Sequence, residues 1–275
     1  MTRVLHVLDH SLPLHSGYTF RTRAIMKAQQ AAGIDVRAVT GLRQGGAQPA
    51  DCEEIDGLVF HRTAGKRATL PVIGEALEIA ALARAIRAVI AAWEPDIVHA
   101  HSPALCGLAA LGEARRAGLP FVYEIRAFWE DAAVGNGTGR TNSVKYLLTR
   151  FLENRVVRKA DAVFTICKGL RDDLVARGHD RNKLHLSPNG VDLTLFGDPP
   201  PRDDALAKEV GLGEGPVIGF IGSFYDYEGL DDLIAAMPLL RERHPAKLLL
   251  VGGGPMDASL RKQATREAAI FAWRV

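Results

Sequence analysis

Short apolar strands, each followed by a helical pattern, leave this sequence little choice of fold. Val4–Leu8, Val36–Thr40, Leu58–His61, "PDIVHA", "LPFVYEI", Ala162–Ile166 and Lys183–Leu186 read as strands. Helical patterns fall between them at Thr19–Ala32, Ala104–Ala117, Asn142–Lys159 and Lys168–Arg177. Ile79, Leu82, Ile86, Val89, Ile90 and Trp93 recur at helical spacing and mark a long amphipathic helix. Strands that lack polar alternation are buried on both faces, which calls for a parallel sheet covered by helices. The right-handed crossover rule then leaves a doubly wound, Rossmann-like layer.

The same alternation starts again after "LTLFGDPPPRDDALAKEVGLGEGP", whose prolines and glycines mark a linker with a short helix near Asp203–Gly211. "PVIGFIG" and "AKLLLVG" are strands, and Glu228–Arg243 and Met256–Glu267 are helices, the first carrying an internal Pro238. The expected α/β organisation is a first Rossmann-like domain over residues 1–192, a linker over 193–215, and an incomplete second unit over 216–275. A unit that short buries too little area to be robust alone, so self-association through it is one expectation.

A net charge of +2 and the absence of any nucleic-acid-binding motif argue against DNA or RNA as a partner. Cys52, Cys106 and Cys167 are far apart and form no CxxC, as in a reduced cytoplasmic protein. Arg84 and Arg87 interrupt the longest apolar segment, so no membrane-spanning helix is expected.

Parallel sheets place ligands at the carboxyl ends of their strands. Those positions read "DHSLPLHSGY", "HAHSPALCG", "EIRAFWED", "TICKG" and "SPNGVD", then "GSFYDYEG" and "GGGP". Gly17 sits at a loop-to-helix junction, where free N–H groups suit a phosphate, or where the glycine simply makes a turn. His99 and His101 share a strand face; no further metal ligand is evident, so no metal site is assigned, and His101 is a candidate for hydrogen bonding or proton transfer. Glu124 and Arg126 form either an ion pair or a pair that binds sugar hydroxyls and phosphate. The glycine-rich "AAVGNGTGRTN" that follows suits a loop over a substrate site. Gly222, Ser223 and Gly252–Gly254 form glycine corners suited to a diphosphate, although neither is a GxGxxG nor a P-loop. Asn142–Lys159 carries Lys145, Arg150, Arg155, Arg158 and Lys159 against one acid, Glu153: a solvated face, or one that meets an anionic membrane surface.

With these residues in view, the chain resembles the retaining family-4 glycosyltransferases of GT-B fold. The resemblance rests on "DHSLPLHSGYTFRTRAI", "PDIVHAHSP", "ADAVFTICKGLRDDL", "LSPNGVD", "VIGFIGSFYDYEGLDDLIAAM" and "LLLVGGGP". The wording of "SGYTFRTRAI", "YEIRAFWEDAAV" and "GSFYDYEGL" is similar to a bacterial branch associated with exosortase and exopolysaccharide gene clusters.

The resemblance implies two Rossmann domains, an acceptor-side domain first and a nucleotide-sugar domain second. It implies transfer from a UDP- or GDP-sugar to a glycan or lipid-linked acceptor, with retention and no bound metal or other cofactor. The cysteine usage places the protein in the cytoplasm, and the basic helix over Asn142–Lys159 suits peripheral contact at the inner face of the membrane. His101, Glu124 and Arg126 are the catalytic candidates. Gly17, Asn189, Gly190, Gly222, Ser223, Gly252, Gly253, Gly254 and Pro255 are the donor-side candidates. Three departures matter. Arg126 stands where the family often has His. Ser223 and Glu228 stand where an Arg and a Lys usually clamp the diphosphate. The Glu-x7-Glu region that holds the donor sugar does not occur before Val275. Weak or absent turnover by this stretch of sequence, as an inactive homologue acting as a binding module, is therefore the alternative expectation. An epimerase is a more distant one, and a nicotinamide dehydrogenase is disfavoured because no Gly-x-Gly-x-x-Gly follows the first strand.

Overall fold

The computed structural model describes residues 1–44, 52–67, 73–135, 137, 139–266 and 271–274. Contacts divide the chain into a larger unit, Met1–Ala132 with Arg140–Gly190, and a smaller one, Ala133–Gly139 with Val191–Val275.

The larger unit is built on one sheet. Its strands are β1 (Arg3–Leu8), β2 (Asp35–Thr40), β3 (Cys52–Ile55), β4 (Leu58–Arg62), β5 (Ile97–His101), β6 (Phe121–Ile125), β7 (Ala162–Thr165) and β8 (Leu184–Leu186). They lie in the order β3-β4-β2-β1-β5-β6-β7-β8. Every pairing is parallel except that of β3 with β4. The chain moves outward from β1 through β2, then returns to place β5 on the other side of β1. The strand order therefore reverses between β1 and β5, and the carboxyl ends of strands at such a reversal are where sheets of this kind take ligands.

The strand expected at Leu58–His61 is present as β4, and the edge hairpin adds a partner, β3, that was not expected. Asp56 and Gly57 have φ of 54° and 66°, the paired left-handed conformation of a two-residue hairpin turn, and they turn β3 back onto β4. Asp-Gly was the available signal; the polar strand before it hid the partner.

The helices are α1 (Gly17–Ala31), α2 (Ile73–Trp93), α3 (Ala104–Ala117), α4 (Trp129–Gly135), α5 (Val144–Lys159) and α6 (Lys168–Ala176). One sheet face sends Leu5, Val7, Val98, Ala100, Phe121, Tyr123 and Ile125 into a core with α2, α3 and α5, including Ile86, Ala110 and Val156. The other sends Val4, Leu8, Val36 and Ala38 against Met26 of α1. Each fully buried large apolar side chain contributes about 1.5–3 kcal/mol. Gly107 lets α3 approach closely: a Cβ there would lie 2.8 Å from both the Tyr123 ring and Val156.

Several boundaries move. Asn142 lies outside α5 with φ of 63°, and the Ser143 hydroxyl caps the helix by accepting from the Tyr146 N–H. The front of "AAVGNGTGRTN" is helical, as the end of α4, while Asn136 and Thr138 lie outside the described residues.

In the smaller unit, α7 (Asp204–Glu209) is capped by Asp203. A parallel sheet then forms from β9 (Val217–Ser223), β10 (Lys247–Gly253) and β11 (Phe271–Arg274) in the order β11-β10-β9. α8 (Leu230–Arg241), which contains Pro238, and α9 (Asp257–Arg266) pack on it through Ile234, Met237 and Leu260 against Leu248 and Leu250. Glu267 and the ends of "AIFAWRV" lie outside the described residues.

Candidate active site

Strand alternation puts a buried polar layer beneath α1. Leu5 and Val7 face the apolar core, so His6 faces the α1 side; likewise His99 and His101 alternate with Val98 and Ala100, and Glu124 with Tyr123 and Ile125. Register brings them together: His6 pairs with His99, and His101 with Glu124. A belt of polar side chains thus crosses three adjacent strands.

Glu124, 1% exposed, anchors the belt. Its Oε1 accepts from Arg126 Nε at 2.8 Å and from Arg21 Nε at 3.0 Å. Arg126 also donates to the Tyr18 carbonyl, the Thr22 hydroxyl and His101 Nδ1, and its guanidinium lies 4.2 Å from the Tyr18 ring centroid. Arg21 donates to the Ser187 carbonyl and hydroxyl, the Pro188 carbonyl and Asn189 Oδ1. One carboxylate therefore holds two guanidiniums, and these fasten the first turns of α1 and the loop after β8.

Sequence reasoning brought His101, Glu124 and Arg126 together, and the structure places them in contact. It missed Arg21, His6 and Gln29. Arg21 sits one helical turn after Gly17, and its partners lie 103 to 168 residues away, so only its place in "SGYTFRTRAI" hinted at it.

Arginine can only donate, which fixes the histidine tautomers. His101 Nδ1 accepts from Arg126, so His101 Nε2 carries the hydrogen and donates to His6 Nδ1 at 2.9 Å. His6 Nε2 in turn donates to Gln29 Oε1 at 2.7 Å. Burial, reinforced by His101, pushes His6 down to about 3. Burial also lowers His99 and His101, the latter against the pull of Glu124. All three rings are neutral at pH 7. Burial alone would raise the Glu124 carboxyl; His101 and Arg126 outweigh it and hold the group well below the ordinary carboxylate range. Ligand atoms of His6, His99 and His101 lie within 4.8 Å of one another, near enough for a cation, but the facing nitrogens of His6 and His101 are committed to each other.

Above this belt α1 begins. Ser16 caps it: its hydroxyl accepts from the Thr19 N–H, and its carbonyl from Phe20. The N–H groups of Gly17 and Tyr18 lie outside the helix's own ladder. No acid occupies the first turn. A Cβ on Gly17 would meet nothing within 4 Å, and the same holds at Gly190 beside Asn189. The fold itself does not demand glycine at either position.

The smaller unit differs. Gly222 and Ser223 of β9 lie in register with Gly252 and Gly253 of β10. Gly252 has φ of 141°, and a Cβ there would collide with the Gly222 carbonyl oxygen. A Cβ on Gly254 would lie 2.7 Å from the Phe224 carbonyl oxygen. These two glycines are required by close backbone approach, whereas Gly253, two residues before Pro255, has open space. α8 starts with Asp231 and Asp232 in its first turn, just after Glu228. Those carboxylates complement the helix dipole and oppose a second anion.

Residues 16–190 match the glycosyl transferase 4-like domain, and residues 215–275 match glycosyl transferases group 1. The chain belongs to this glycosyltransferase family. It is 27% identical over 269 residues to a GDP-mannose-dependent alpha-mannosyltransferase of Mycolicibacterium smegmatis, covering 98% of this chain and 67% of that one. It is 31% identical over 246 residues to a D-inositol 3-phosphate glycosyltransferase of Jonesia denitrificans, covering 84% and 56%. The chain thus spans about two thirds of the first relative's length and little more than half of the second's. Among solved structures it is similar to sucrose-phosphate synthase from Thermosynechococcus elongatus, with a TM-score of 0.72, 17% identity and coverage of 100% and 70%. Anabaena HepE in complex with UDP-glucose gives a TM-score of 0.69, 19% identity and coverage of 100% and 69%. The fold is that of GT-B glycosyltransferases, with Rossmann-like parallel sheets.

Proposed function

We propose that this glycosyltransferase moves a sugar from a UDP- or GDP-sugar to a glycan or lipid-linked acceptor with retention of anomeric configuration. The proposal extends to exopolysaccharide biosynthesis in the cytoplasm, with peripheral contact at the inner face of the membrane. Residues 1–192 form the acceptor-side domain, 193–215 the linker and 216–275 the nucleotide-sugar domain.

The observation that carries this reading is the start of α1. An acid-free helix N-terminus with an open Gly17 stands at the strand-order reversal, over two guanidiniums that share one carboxylate. That combination favours a diphosphate. The relatives support the donor class: one is named as GDP-mannose-dependent, and another was solved with UDP-glucose.

In transfer, the bond between the anomeric carbon and the diphosphate oxygen breaks, and the nucleoside diphosphate leaves with the charge. The acceptor oxygen takes its place on the same face, and its proton passes to the departing diphosphate. Within the larger unit Gly17, Asn189 and Gly190 are the donor-side candidates, and within the smaller unit, taken by itself, Gly222, Ser223 and Gly252–Pro255 are. Arg126, Glu124 and the buried His101 act by positioning, because each is engaged with α1 or with the others.

Incubation with a panel of UDP- and GDP-sugars, with NMR of the freshly released or transferred sugar, tests the reading. The expected product keeps the donor's anomeric configuration. An inverted product, or oxidation or epimerisation of the sugar, overturns it.

A further inference from the structure

α5 carries a surface that neither the fold nor the transfer reaction uses. Its buried side is Glu153, Val156 and Val157. On the opposite side Val144, Leu147, Leu148 and Phe151 are 84%, 52%, 41% and 59% exposed. Their spacing of three and four residues puts them on one stripe of the helix. Extended toward the C-terminus, the same stripe continues as exposed Arg155, Arg158 and Lys159, while Lys145 and Arg150 flank the apolar part.

The charge on this face is one-sided. Glu153 is the only acid in α5, and it is 0% exposed, on the far side. Among the described residues, none of the five basic side chains of α5 joins an ion pair, although other exposed arginines nearby do, such as Arg115 with Asp161. A solvated helix face would not need four large apolar side chains; a nucleic-acid face would not use them either.

We propose that the exposed face of α5 docks on an anionic lipid bilayer, with Val144, Leu147, Leu148 and Phe151 entering the interface and the basic residues meeting lipid phosphates. The apolar stripe gives burial, and the flanking cations give attraction to a negative surface. A second copy of the chain is the poorer occupant, because it would set five more cations against these with no outward acid on α5 to meet them. The inference rests on the proposed membrane contact and gives it a location; vesicle binding requires neither donor nor turnover, so its failure would remove that contact and leave the proposed sugar transfer standing.

The test is co-sedimentation of the whole chain with phosphatidylcholine vesicles, with and without phosphatidylglycerol. Binding is expected only with phosphatidylglycerol, and salt should weaken it. Leu147→Ser with Phe151→Ser should abolish it, and Arg155→Gln with Arg158→Gln should weaken it about tenfold. All four positions face solvent, so thermal unfolding should be unchanged. No vesicle binding, binding that both double variants retain, or a dimer that Leu147→Ser with Phe151→Ser dissolves in the absence of vesicle binding, each overturns the proposal.

Discussion

Replacing Glu124 by alanine is expected to destabilise the larger unit by about 3–5 kcal/mol, the usual cost of stranding buried charge. Glu124 is nearly inaccessible, and Arg21 and Arg126 share its Oε1. Removing the carboxylate leaves two guanidiniums with only neutral acceptors. It also loosens what they fasten, namely the Tyr18 carbonyl and Thr22 on α1 and Ser187–Asn189 after β8. Donor affinity should fall with stability. Urea unfolding of the single variant and of Glu124→Leu with Arg126→Met checks the cause: the pair should recover part of the loss, since an apolar pair does not strand a charge. Because the carboxyl is held below its ordinary range, its contribution is present above the unfolded value and is lost as pH falls through the folded one. The wild type should therefore lose stability in acid more steeply than Glu124→Gln. A loss below about 1 kcal/mol for Glu124→Ala would place the belt on the level of a surface ion pair.

Glu153 should behave in the opposite sense. It lies on the buried side of α5, 0% exposed, with the buried Tyr123 hydroxyl as its neighbour. Burial raises the carboxyl from 4.5 to about 7; nearby Tyr123 opposes this, and the charge of Glu130 adds to it. The folded chain thus keeps a proton that the unfolded chain releases, so stability falls as pH rises through the interval from 4.5 to about 7. At 1.36 kcal/mol for each pH unit, the penalty above pH 7 is about 3 kcal/mol. Glu153→Leu is expected to recover about 2–3 kcal/mol at pH 8 and little at pH 4. Glu153→Gln should flatten the pH slope while leaving a buried polar group. Unfolding midpoints of the three proteins at the two pH values decide it. Equal slopes for wild type and Glu153→Gln would show that the carboxyl does not titrate in this interval.

What the sequence revealed and what it hid follow from where each partner lies. Strand and helix identity was readable because periodicity is local, and so was the association of Glu124 with Arg126, two residues apart. The role of Arg21 was not, because its partners on β6 and after β8 are remote in sequence and converge only in the folded sheet. The His101–His6–Gln29 chain was hidden for the same reason: it depends on β1 lying beside β5. The glycines divided by cause. Gly252 and Gly254 answer to backbone crowding within the smaller unit, whereas Gly17 and Gly190 face open space, and a sequence shows both kinds as the same letter. Glu153 read as one acid among many cations; its burial came from helix phase, which placed it opposite the exposed stripe.

Titration of UDP-glucose and GDP-mannose into wild type and into Gly17→Asp tests the central claim most directly. An aspartate at this position meets open space and suits a helix N-terminus, so stability should hold or rise by a few tenths of a kcal/mol. The account predicts that the wild type binds at least one of the two nucleotide-sugars and that the variant loses that affinity by about tenfold or more, through repulsion of the diphosphate. A wild type that binds neither, or a folded variant that binds equally well, would contradict it.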